Sequence, residues 1–318
     1  MRRVDVAAAI VVGEPGGAKD QRCGDVAAAL LEERMRRLVA LQPDVLADRD
    51  PEPLHQMRVA CRQLRCSLEQ FEPALLLPEQ VSPQRVARIG TDLGFARDLD
   101  VLRHCLADRW LPLLPDREQV LLRKLLKQLK RERKLAFLVL TETLKGRRYL
   151  KLLARLQRWL RDPRFSAMGE EPIAAWIPEL QQAAIAGLFT LPGWWATNPD
   201  APDAMDALHL LRRRIKRARY GFSNLVALDP SALKPWLVRF KDLQTELGDL
   251  QDLEVLGQTL NRLLDGEMDA AMPSLCSLIA EARQQAWLRW RASSAVLRTP
   301  DGRQQLIRLQ LLAPAAPA

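Results

Sequence analysis

Two short stretches hold the residues best suited to do chemistry. Leu54 to Phe71 reads LHQMRVACRQLRCSLEQF, and Leu208 to Leu225 reads LHLLRRRIKRARYGFSNL. His55, Arg58, Arg62 and Arg65 of the first recur as His209, Arg212, Lys216 and Arg219 of the second, with the same steps of 3, 4 and 3 residues. At about 100° per residue, those steps keep four side chains within an arc of roughly 80° on an α-helix. Each stretch therefore predicts a helix with a cationic ridge. An apolar stripe lies beside each ridge: Met57, Cys61, Leu64, Leu68 and Phe71 in one, Leu211, Ile215, Ala218, Phe222 and Leu225 in the other.

A row of cations on a helix usually faces water, with an acid one turn away to offset repulsion. No acid occurs between His55 and Leu68, or between His209 and Leu228. Each ridge must then find its counter-charge on another helix or in a ligand. A polyanion charged at every unit suits such a row, because cations three or four residues apart present donors about every 5 Å. Arginine suits it better than lysine, since its planar fork bridges two phosphate oxygens. Arg58, Arg62, Arg65, Arg212, Lys216 and Arg219 are the foremost candidates. Arg97 follows, with Lys127, Lys130, Arg133 and Lys134 of a long basic stretch.

His55 and His209, at the helix starts, either donate to phosphate or orient neighbours, and the sequence leaves both roles open. An anionic ligand favours the protonated ring, so binding is expected to strengthen below neutral pH. Asp98 and Asp252 read as carboxylates that orient ridge cations. Asp98 and Asp100 lie about 200° apart on a helix and cannot share a metal there. No metal or cofactor is expected, and His104 has no counterpart in the second copy.

The elements around the ridges follow one plan twice. A first helix is expected from about Asp25 to Leu41, then the ridge helix, ended by Pro73 and Pro78. A third helix begins near Pro83 and carries LGFARDLDVL, Leu93 to Leu102. A long basic helix spans Asp116 to Lys145, and a shorter one Tyr149 to Leu160. Asp162 to Pro172 reads as the boundary between halves. The second half is expected to repeat the plan with helices from about Ile173 to Leu191, Pro235 to Leu264, Pro273 to Arg291 and Gln304 to Leu312 around the second ridge. Its third helix carries LGDLQDLEVL, Leu247 to Leu256. His55 and His209 stand 154 residues apart, and so do Leu93 and Leu247. Both motifs thus repeat in one register.

No strand-like alternation of useful length appears. The expected class is all-α: two duplicated antiparallel helical bundles of about four main helices each, facing a shared basic cavity. Residues 1–20 read as a flexible leader, 21–165 as the first bundle, 166–312 as the second, and 313–318 as a frayed tail.

The composition agrees with this. Apolar residues make up 48% of 318, and 48 Lys and Arg against 39 Asp and Glu leave a net charge of +9. That balance points to a polyanionic partner such as nucleic acid, polyphosphate or an anionic membrane surface, and charge alone does not choose among them. Five cysteines, an odd number without a CxxC pair, fit buried thiols in a reducing compartment. No apolar stretch approaches the length of a transmembrane helix.

Taken together, the motifs resemble the CHAD domain family, the conserved histidine α-helical domain, from about Asp25 to Leu312. The first ridge matches its H-x-M-R-V-x-x-R-x-L-R pattern at His55, Met57, Arg58, Val59, Arg62, Leu64 and Arg65. LGFARDLDVL is close to its L-G-x-x-R-D-L-D-V-L. His209, Leu211, Arg212, Lys216, Arg219 and Tyr220 match the H-x-L-R-x-x-x-K-x-x-R-Y form. The resemblance implies binding of inorganic polyphosphate by basic residues lining a cavity between two bundles, in the cytoplasm and in association with polyphosphate granules. Gln251 departs from the pattern where the first copy has Arg97, and Phe95 is bulkier than the residues common at its position.

Two rival readings stand beside this. An enzyme of phosphate esters needs clustered carboxylates such as E-x-E-x-K, and that motif, a Walker loop and HExxH are all missing from the sequence. A non-catalytic protein is therefore expected. A nucleic-acid binder would add aromatic platforms to its basic groove. Of the eight tryptophans, Trp287 and Trp290 sit with Arg283 and Arg289 on one helix. Their spacing reads as core.

Overall fold

The computed structural model describes residues 19–201 and 203–308, and in these it is helical, with two isolated β-bridges. The leader expected over residues 1–20 lies outside them but for Lys19 and Asp20, and the tail over 313–318 lies outside entirely. Helices α1 (Cys23–Ala47), α2 (Pro51–Gln70), α3 (Pro83–His104), α4 (Asp116–Lys145) and α5 (Arg147–Arg161) come first. A short α6 (Ala167–Glu170) leads to α7 (Ile177–Ile185), α8 (Ala204–Leu225) and α9 (Pro230–Leu263). Then follow α10 (Met268–Ala271), α11 (Pro273–Arg298) and α12 (Pro300–Arg308).

Local chemistry sets the starts of the helices that matter. Asp50 caps α2 by accepting from the Glu52 N–H at 2.8 Å, with Pro51 in the first turn. Ser82 does the same for α3 and Asp229 for α9, each ahead of a proline. The two apolar stripes form the core as spaced. Met57, Cys61, Leu64, Leu68 and Phe71 are buried, as are Leu211, Ile215, Ala218, Phe222 and Leu225. Trp287 and Trp290 are core as well.

Successive helices pack on one another, α1 on α2, α2 on α3 and α3 on α4, and likewise α7 on α8, α8 on α9 and α9 on α11. Helices α2 and α8 touch directly. At their contact Asn224 donates to Gln70 at 2.6 Å and accepts from the buried Arg34 of α1 at 2.8 Å. Gln70 also donates to the carbonyls of Leu180 and Gly221. Farther out, the buried Glu118 of α4 accepts from the Ser274 and Leu275 N–H groups, both at 3.0 Å, and so caps α11.

One expectation needs correction. The helix expected over Ile173 to Leu191 is a single 3-10 turn followed by α7, because Gly187 at φ +68° turns the chain away. The segment Asp162 to Pro172, read as a boundary, is docked: Ser166 N–H donates to Ala74 at 3.1 Å and Cys23 N–H to Glu171 at 2.8 Å. The glycine there serves tight packing, with Gly169 against the Ala74 carbonyl.

Candidate functional site

Arg58 projects from α2 across α3. Its Nη1 donates to Asp98 at 2.6 Å and to the Gly94 carbonyl at 3.1 Å. A Cβ on Gly94 would lie 3.4 Å from the Arg58 guanidinium, so the glycine gives the fork its bed. The same arrangement recurs 154 residues on. Gly248 lies against the Arg212 guanidinium at the same 3.4 Å. The counter-charge missing from the ridges therefore comes from the third helix of each half, as Asp98 for Arg58 and, by charge attraction, Asp252 for Arg212.

The two ridges meet at their inner faces. Arg62 reaches the Tyr220 hydroxyl of α8 at 3.4 Å. Arg58, Arg62 and Arg65 open into a cleft of about 440 Å³ with His209 and Arg213 of α8. The other wall is α3, from Ala87 to Asp98. Arg213 is a residue that sequence reasoning missed; it stands one position off the ridge, beside Arg212. Arg65 is shared with Glu69 at 3.3 Å.

Lys216 and Arg212 do not line this opening. Burial, then the charges of Arg212 and Arg62, brings the Lys216 ammonium down to about 7, with Asp252 acting against them. Burial lowers Arg212 from its ordinary value too. Asp252 is open to solvent, yet the protein mass around it raises its carboxyl above the usual range. Arg219 stacks on the Tyr220 ring, 4.9 Å from its centre, and keeps a buried Nε without a partner.

The histidines differ between halves. His209 lines the cleft, and its Nδ1 stands 2.6 Å from Gln251 Oε1. Gln251 is 154 residues beyond Arg97, so the departure at that position gives His209 a hydrogen-bond partner. In the first half Arg97 is a cation near His55. Burial, and then Arg97, lowers the His55 pKa below its ordinary value.

The cations of α4 do not join the ridges. Arg133 is clamped by Asp48 and by Asp100, at 3.0 and 3.1 Å from the latter, and those carboxylates raise its pKa although burial opposes them. With Lys130 and Lys134 it lines a separate cleft of about 560 Å³ that also holds Asp48, Asp50, Asp100 and Asp108. Lys127 is exposed and lines neither cleft. Helix α5 carries an exposed row that the sequence reading passed over, Arg148, Lys151, Arg155 and Arg158, again at steps of 3, 4 and 3. None of these lines the ridge cleft. Among the described residues there is no cluster of three or more candidate metal ligands, and no helix is long and apolar enough to cross a membrane.

Comparison with known proteins identifies the family and the fold. A sequence model of the CHAD domain matches residues 29–261. The crystal structure of the CHAD domain from the plant Ricinus communis aligns with a TM-score of 0.63 at 24% identity, over 98% of this chain and 97% of that one. PptA from Streptomyces chartreusis aligns with a TM-score of 0.61 at 15% identity, over 86% of this chain and 99% of the other. No curated protein matches. Helix order, motifs and family match converge, and the chain belongs to the CHAD domain family.

Proposed function

We propose that this protein binds inorganic polyphosphate, without catalysis, in the cleft where α2, α3 and α8 meet. One observation carries the reading: Arg58, Arg62, Arg65, His209 and Arg213 share one opening whose lining has Asp98 as its single acid. A phosphate chain laid there meets several guanidinium forks at once, each able to bridge two oxygens. The contact between Gln70 and Asn224, which stand 154 residues apart, supports a local two-fold axis between α2 and α8. Such an axis turns both ridges toward one ligand.

The lining argues for holding rather than cleaving. Thr91 spends its hydroxyl on the Ala87 carbonyl, and burial pushes the Cys61 thiol up to about 12. Neither is an activated nucleophile at neutral pH. Nucleic acid is the second reading. Against single strands, Phe95 is the one Phe, Tyr or Trp in the lining, where a stacking platform needs several. The chain is placed, on this reading, in the cytoplasm at polyphosphate granules.

The test removes one arginine from each ridge. Arg58→Ala with Arg212→Ala is expected to weaken polyphosphate binding by about 100-fold or more, with the circular dichroism still helical. Arg148→Ala with Arg155→Ala removes the same charge from the outer face of α5 and is expected to change affinity by less than about threefold. Equal effects of the two pairs would refute the assignment to the cleft.

A further inference from the structure

The α3 wall of the cleft holds something that a bare phosphate chain cannot use. Ala87, Gly90, Thr91, Gly94, Phe95 and Asp98 form one stripe of the helix and all line the opening. Gly90 leaves the wall bare: a Cβ there would have Cys61 Sγ as its nearest neighbour, 3.8 Å away. Thr91 turns its hydroxyl back into the helix. Phe95, beside this bare patch, is 59% exposed.

The second half shows that the fold requires neither feature. The positions 154 residues beyond Ala87, Gly90 and Phe95 hold Lys241, Gln244 and Asp249. Asp249 is drawn to Arg289 at 2.9 Å. Helix α9 packs on α8 with these larger polar side chains as α3 packs on α2 without them. The flat wall and the exposed ring therefore belong to the first half's surface, next to its arginines.

We propose that the cleft takes a nucleoside polyphosphate, its base laid on the bare α3 wall against Phe95 and its phosphates running onto Arg62, Arg65 and Arg213. This rests on the polyphosphate reading and names a more specific ligand for the same site. An aromatic face stacks on any base, so the site favours a base without selecting one. Asp98 gives one oxygen to Arg58 and keeps the other as an acceptor for an amino or hydroxyl group. A cleft of about 440 Å³ is in the ordinary size range for small-ligand sites.

The test is calorimetry of the intact chain with ATP, GTP and inorganic tripolyphosphate, at one salt concentration and without divalent cations. Tripolyphosphate carries at least the charge of ATP, so charge alone favours the inorganic chain. The expected result is that both nucleotides bind at least about fivefold tighter than tripolyphosphate. Phe95→Ala should abolish that advantage and leave tripolyphosphate affinity unchanged, while Phe95→Trp should preserve it. Because Phe95 is exposed, both variants are expected to keep the wild-type circular dichroism. Nucleotides binding no tighter than tripolyphosphate, or Phe95→Ala weakening all three ligands alike, overturns the inference and leaves the polyphosphate reading in place. Failure of tripolyphosphate and long-chain polyphosphate to bind at all removes both.

Discussion

Lys216, beside the proposed cleft, gives the residue-scale prediction with the clearest sign. Its ammonium sits at about 7, lowered by burial and then by Arg212 and Arg62. In the free protein it is half charged near neutrality, and a polyanion pulls it to the charged form. The sign follows: binding takes up a proton in the range above about pH 7, so affinity falls as pH rises through it and levels off below it for this group. His55, lowered below its ordinary value, adds a further gain in more acid solution. Calorimetry at about pH 8 in two buffers of different ionisation enthalpy should report this uptake, and Lys216→Arg should flatten the dependence. Zero uptake in the wild type would remove Lys216 from the site. Asp98 gives a second residue-scale prediction. It competes with ligand for Arg58, so Asp98→Asn is expected to tighten polyphosphate binding several-fold, by titration at fixed salt; weaker binding would mean that its role is to hold Arg58 in place. The acid-free ridge predicted a counter-charge from elsewhere, and Asp98 supplies it. Arg133 could not be read this way. Its acids, Asp48 and Asp100, stand 85 and 33 residues away, and spacing along one helix is blind to them.

At the scale of elements, the α2–α8 contact sets how the ridges face. Arg34, Asn224 and Gln70 tie α1, α8 and α2 in a buried chain of hydrogen bonds. Burial brings Arg34 down to about 10, and its Nε and Nη1 have no hydrogen-bond partner, so the Asn224 oxygen is its main support. Asn224→Leu is expected to cost about 2–3 kcal/mol in chemical denaturation, because it leaves a charge buried without that oxygen. Adding Arg34→Met should recover most of the loss. A loss that persists in the double variant would show that packing, not charge, sets the cost. The helices themselves were legible: α4 matches its expected limits, and periods of three and four residues marked both ridges and both cores. The shortened α7 was not, because a run of apolar residues does not reveal the left-handed turn at Gly187. The exposed row on α5 was overlooked although it has the ridge spacing, and what separates it from the ridges is that it faces outward.

For the whole molecule, the offset of 154 residues recurs in particular contacts, in Gly94 and Gly248 against Arg58 and Arg212 and in Gln70 meeting Asn224, and it fails where Gln251 replaces Arg97. The motifs identified the ridges and the third-helix carboxylates. They did not show that Arg213 rather than Arg212 lines the opening, that His209 faces Gln251, or that α4 keeps its cations in a separate cleft. These depend on tertiary contacts between helices, which spacing along one helix does not reveal. Salt sensitivity does not separate ligands, since any cationic site loses affinity for a polyanion as salt rises. Size does. On the proposed reading, a cleft of about 440 Å³ engages more phosphates only until it is filled, and a duplex is expected to bind far more weakly. The most direct measurement is displacement of a labelled polyphosphate, at one salt concentration, by polyphosphates of defined length, by orthophosphate and by a charge-matched duplex. The account predicts displacement that strengthens with chain length and then levels off, with orthophosphate and duplex far weaker. A duplex that displaces the label as well as a polyphosphate of equal charge would contradict it.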